Sequence, residues 1–152
     1  MNNLSDNQIG MVFSEVLKEV VIKTTGFSLD DAGVSGDFDE LIGLMSLNGY
    51  HHGLVVISAK YDTIKTLSSA MTGISINDVT KDDIYDTLCE LVNMTAGNAK
   101  LRFNSSEDIY MLSPPFIVYG ADMSIVSKNR VNFISKTLSG DGITLNLKVV
   151  FY

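Results

Sequence analysis

Glu90 and Asn93 stand three residues apart within residues 80–103, TKDDIYDTLCELVNMTAGNAKLRF. An ionised carboxylate only accepts hydrogen bonds, whereas a primary amide both accepts and donates. Together they set a charged acceptor beside a neutral group able to hold a polar partner. At about 100° per residue, Asp86, Glu90, Asn93 and Gly97 fall at roughly 0°, 40°, −20° and 20°, a stripe about 60° wide. Ile84, Leu88, Leu91, Val92, Thr95 and Ala99 gather on the opposite side, so this helix is expected to pack by one face and show the stripe outward. A glycine in a helix interior costs about 1 kcal/mol relative to alanine, and Asn93 and Asn98 are also poor helix formers. The missing side chain at Gly97 would let another surface approach closely. A solvated helix face also carries acids and amides, and the wheel alone names no reaction.

The surrounding sequence must hold that helix in place. Thr80 can cap its start, with Asp83 three residues on and two aspartates where the helix dipole favours them. An earlier helix begins at Ser5 or Asp6 and carries Ile9, Val12, Phe13, Val16, Leu17, Val20 and Val21 at helical spacing, closing at Gly26. Residues 27–36 read as turn and short strand. Residues 38–46 and 54–58 read as a hairpin through Asn48-Gly49. A further helix is expected over 61–71, stopped by Gly73. Extended segments follow at 109–112 and 116–119, and Pro114-Pro115 exclude a continuous central strand between them. Strands near 131–138 and 143–151 turn through Ser139-Gly140-Asp141-Gly142. The last alternates Ile143, Leu145, Leu147, Val149 and Phe151 with polar residues at period two. The pattern predicts an α+β fold with a largely antiparallel sheet packed with about three helices.

Composition narrows the function. With 152 residues, 45% apolar and 19% charged, the chain suits one domain spanning 1–152 with a sizeable core. Its single cysteine, Cys89, excludes an internal disulfide and points to a reducing compartment. The first residues do not begin as a secretory signal does, and no apolar run approaches the roughly 20 residues of a membrane span. A cytoplasmic location is expected. The formal charge of −7, without a basic stripe, argues against nucleic acid and anionic membrane surfaces as partners. A folded protein or a small molecule remains.

Several other signals are set aside. His51 and His52 are adjacent and would face opposite ways in a strand, with no cysteine pair or acid cluster nearby to complete a zinc site. Cys89 has no histidine placed to activate it and reads as a buried thiol. Met71, Met94, Met111 and Met123 read mostly as core filler, with Met94 near enough to the stripe to touch a partner. No GxSxG, HExxH or Walker sequence occurs.

Asp86, Glu90 and Asn93, followed by 21 residues and then Pro115, resemble the signature of the CheC/CheX/FliY chemotaxis phosphatases. Met94-Thr95-Ala96-Gly97-Asn98-Ala99-Lys100 and Leu112-Ser113-Pro114-Pro115 are similar to the CheX branch, and the resemblance runs over residues 49–152. It implies a CheX-like phosphatase that removes the aspartyl phosphate of a CheY-like receiver domain. Asn93 would orient the attacking water and Glu90 would pair with a receiver lysine, while Asp86, Met94 and Gly97 would contact the partner. It implies that the Mg²⁺ belongs to the receiver, that this chain binds no metal, and that it forms a homodimer. Glu15 is followed by Lys18 where a second motif would need asparagine, which fits one motif per chain. The alternative is a non-catalytic module that docks a receiver or flagellar-switch component on the same scaffold.

Overall fold

The computed structural model describes residues 5–34, 38–49, 52–103, 111–126 and 131–152. Helix α1 (Asp6–Thr25) starts where the Ser5 hydroxyl accepts from the Gln8 N–H while the Gln8 side chain accepts from the Ser5 N–H. This reciprocal cap satisfies two otherwise orphan donors. Its buried face carries Ile9, Phe13, Val16, Leu17, Val20 and Val21. Helices α2 (Tyr61–Thr72) and α3 (Lys81–Arg102) complete the helical layer.

Among the described residues seven strands form one antiparallel sheet: β1 (Asp30–Asp31), β2 (Leu41–Asn48), β3 (Gly53–Ala59), β4 (Met111–Leu112), β5 (Phe116–Tyr119), β6 (Asn132–Gly140) and β7 (Ile143–Phe151). Their order is β1-β6-β7-β3-β2-β4, with β5 also paired to β2. The register sets Val55 against Met45 and Val149, so alternate residues of three strands face the helices together. Leu41, Met45, Leu47, Val55, Ile57, Leu145, Leu147 and Val149 join the buried faces of all three helices in one core. Helix α3 lies over β2, β3 and β5, and α1 packs beside it over β6. The fold is the α+β arrangement expected from the sequence.

Two expectations are corrected: the strand expected from Phe38 begins at Leu41, and Met111 is not in the core. Of the polar residues that alternate along β7, Asn146 and Lys148 are buried. The cause is Phe38-Asp39, which lies over the outer side of the sheet instead of starting a strand. Asn146 donates to Asp39 Oδ2 at 2.8 Å and accepts from Thr137 Oγ1 at 2.8 Å, while Lys148 Nζ stands 4.1 Å from the Phe38 ring centre. Strand β7 is central between β6 and β3, so it has no free edge for a second chain. Met111 is exposed, because β4 is a two-residue strand on the sheet's rim. Residues 50–51, including His51, and residues 109–110 lie outside the described residues. Among the described residues no helix is long and apolar enough to cross a membrane.

Candidate functional site

Helix α3 is fixed at both ends and along its inner face. At the start, Thr80 Oγ1 accepts from the Asp83 N–H at 3.2 Å, and Asp83 Oδ2 accepts from the Thr80 N–H at 2.8 Å. That backbone hydrogen bond, then the one from the Thr80 hydroxyl, holds the Asp83 carboxyl below its usual range. At the far end Arg102 pairs with Glu19 of α1, and the Phe103 ring meets Phe13 at 5.7 Å between centres. Between them Ile84, Thr87, Leu88, Leu91, Val92, Thr95, Ala96 and Ala99 are buried. Gly43 of β2 makes the seat: a Cβ there would stand 2.7 Å from Val92 Cγ2.

The opposite face carries the stripe. Asp86, Glu90 and Asn93 are exposed, and Gly97 is half-buried. Among the described residues neither the Glu90 carboxylate nor the Asn93 amide has a hydrogen-bond or ion-pair partner. Both are therefore free to meet another molecule. Among the described residues a Cβ at Gly97 would meet nothing within 4 Å, so their packing gives no reason for glycine.

The flanks differ. On one side Cys89 is half-buried; burial raises its thiol pKa, and the Asp86 and Glu90 carboxylates raise it further. A thiol held protonated is a poor nucleophile. Beyond it, Lys81 Nζ lies 5.4 Å from the Tyr85 ring centre and 5.8 Å from that of Tyr119 on β5. This aromatic pair was not legible from local sequence, because the two tyrosines lie 34 positions apart and neither sits in a motif. On the other side Met94 is half-buried against the core and borders a shallow cleft between α1 and α3 with Val20, Lys23 and Leu101.

Pro115 is half-buried just before β5. Because Pro114 and Pro115 lack N–H groups, Ser113 makes the join to β2: its N–H donates to Ser46 O at 3.1 Å and its Oγ accepts from the Ser46 N–H at 2.9 Å. This break lets β4 and β5 share one side of β2, with β5 under α3.

On α1, Lys18 does not resemble the free Asn93. Its ammonium is 2.8 Å from Glu15 and 3.4 Å from Asp31, and Asp31 also lies near Lys136 and Ser14. The Glu15 hydrogen bond is the main cause raising the Lys18 pKa. This cluster pins β1 to the first helix. What the α3 face can do chemically is present an amide and a carboxylate, at fixed spacing, to a site on another molecule.

A family model described as chemotaxis phosphatase CheX matches residues 41–139. No curated protein sequence matches the chain. The crystal structure of the chemotaxis protein CheX from Vibrio vulnificus is similar with a TM-score of 0.84 and 18% identity, over 99% of this chain and 100% of that one. CheX from Desulfovibrio desulfuricans is similar with a TM-score of 0.78 and 16% identity, over 95% and 99%. The crystal structure of the CheX–CheY–BeF3–Mg²⁺ complex from Borrelia burgdorferi is similar with a TM-score of 0.75 and 17% identity, over 98% and 99%. At these identities the structural likeness is one of fold.

Proposed function

Because the chain belongs to the chemotaxis phosphatase CheX family, we propose that it accelerates hydrolysis of the aspartyl phosphate on a CheY-like response regulator. One observation carries this reading: Glu90 and Asn93 project together, exposed and without a partner among the described residues, from a helix whose other face is buried. The complex of the Borrelia burgdorferi relative with CheY, BeF3 and Mg²⁺ supports the choice of partner.

Phosphoryl transfer depends chiefly on positioning and electrostatics. The phosphoryl group and its Mg²⁺ are on the receiver, so the element to be added is a water held in line. Asn93 supplies it: the amide accepts from and donates to the water without needing to act as a base. Glu90 pairs with a lysine at the receiver's site, and a charge-assisted contact shielded from solvent holds the helix in register. Asp86 and Met94 border this contact, and the bare backbone at Gly97 lets the receiver come close. A gain of one to two decades in rate requires about 1.4 to 2.7 kcal/mol, which one positioned water can provide. In this reading the chain binds no metal of its own.

The active form is a homodimer in the cytoplasm, where receivers are phosphorylated. With β7 enclosed, any pairing of sheet edges falls to β1 or to β4 and β5. The test is to mix the protein with phosphorylated receivers and Mg²⁺ and to follow phosphate release. Faster release from at least one receiver supports the reading. Binding to a receiver with no change in phosphate lifetime would select the docking module instead.

A further inference from the structure

The exposed side of α3 is electrically lopsided. Before Asn93 it carries Asp82, Asp86 and Glu90, all exposed. After Asn93 the next charge is Lys100, in the last turn. Asp86, Asn93 and Lys100 are spaced by seven residues, so each step drifts only about 20° around the helix and rises about 10 Å. The amide thus lies midway between a carboxylate and an ammonium on one nearly straight line.

The Lys100 side chain is half-buried, and its ammonium has no hydrogen bond or ion pair among the described residues. Of the other cations on α3, Arg102 is held by a carboxylate and Lys81 lies over two tyrosine rings. Lys100 is therefore the cation of this helix left for a partner among the described residues; Lys23, Lys60 and Lys65 also lack a carboxylate but stand on or before other helices. Helical side chains lean toward the helix N-terminus, which directs Lys100 toward the open ground above Gly97. That is the ground a partner bound at Asn93 must cover.

A site that holds Mg²⁺ beside a phosphoryl group is built from carboxylates, so its rim is acidic. A chain of net charge −7, presenting Asp82, Asp86 and Glu90 on the exposed side of this helix, approaches such a rim against repulsion. We propose that Lys100 engages a carboxylate on the receiver's rim, opposite the lysine that meets Glu90. It thereby fixes the direction in which α3 lies across the site. Lys100 is a positioning residue, and the inference rests on the function proposed above. The helix dipole also favours a cation in the last turn, but that role acts on folding and not on the partner.

Lys100→Glu, Lys100→Ala and Lys100→Arg are compared with the unaltered protein in two measurements. One is phosphate release against receiver concentration; the other is binding to a receiver loaded with BeF3 and Mg²⁺. Lys100→Glu is expected to raise KM roughly tenfold with kcat within about twofold, and Lys100→Arg to restore both. The difference should narrow as salt screens the contact. Lys60→Glu, the same charge change at the exposed N-cap of α2, should leave KM unaltered. If Lys100→Glu matches the unaltered protein in KM and binding, or loses only thermal stability, the inference falls and the proposed function survives. If the unaltered protein fails to speed release, the proposed function falls, and Lys100 is judged on binding alone. Failure to bind any loaded receiver overturns both.

Discussion

A Cβ on Gly43 would stand 2.7 Å from Val92 Cγ2, so strand β2 and helix α3 meet at a distance that only glycine permits. Val92 is the chain neighbour of Asn93. The height of the amide above the sheet is therefore set by the absence of a side chain on the other side of the core.

Gly43→Ala should push α3 outward or force Val92 and Leu88 off their rotamers. Overpacking of this kind costs about 1–3 kcal/mol, read as a lowered melting temperature. Phosphate release should slow as well, since displacing a positioned water by a fraction of an ångström erodes its alignment. Unchanged stability would show that the seat is looser than the geometry implies.

Gly97 predicts opposite signs for stability and function. A methyl group there meets nothing within 4 Å, so Gly97→Ala should stabilise the protein by about 0.5–1 kcal/mol in denaturant unfolding. Gly97→Leu should keep the fold but weaken receiver binding, because the side chain occupies the approach. Equal binding by Gly97→Leu and the unaltered protein would remove this glycine from the interface.

The stripe was legible because helical period and cap chemistry are local. Thr80, Asp83 and the buried set from Ile84 to Ala99 lie within 20 residues of one another, and their spacing alone fixes which way Glu90 points. The hairpin through Asn48-Gly49 was equally local, and its strands pair as β2 and β3. What failed was long-range. Nothing near Asn146 or Lys148 announces that Asp39 and Phe38, more than 100 residues earlier, cover them. The two-residue β1 has no periodicity to read; it is held by β6 and by the Lys18 ion pair. The roles of Glu90 and Asn93 came from resemblance to a family signature, since spacing and exposure by themselves describe any solvated helix.

Cys89 offers a probe of the site's charge. Burial, then Asp86 and Glu90, raise its thiol pKa above the ordinary 9.0, so alkylation of the native protein near neutral pH should be slow. Glu90→Gln should lower that pKa and speed alkylation only in part, because burial is the larger cause. Alkylation as fast as that of the unfolded chain would contradict the placement of the thiol.

The helix start makes a pH prediction. Asp83 is held below its ordinary 3.8 in the folded state by the Thr80 N–H, then by the Thr80 hydroxyl. A depressed carboxyl contributes stability that is complete above the unfolded pKa and is lost as pH falls through the folded one. Asp83→Ala should therefore lower stability at neutral pH, with the gap from the unaltered protein closing below about pH 3.8. Thr80→Ala should cost about 1 kcal/mol at neutral pH. A gap constant down to acid pH would show that the carboxylate's charge plays no part in the cap.

The central claim is that Asn93 places water while Glu90 places the partner. It is tested most directly by the lifetime of a receiver's aspartyl phosphate, with Mg²⁺ and saturating amounts of the unaltered protein, Asn93→Ala or Glu90→Ala. Asn93→Ala should bind a BeF3-loaded receiver nearly as well as the unaltered protein yet leave the phosphate lifetime at its uncatalysed value. Glu90→Ala should weaken binding, with acceleration partly recovered at high concentration. Full acceleration by Asn93→Ala would contradict the account.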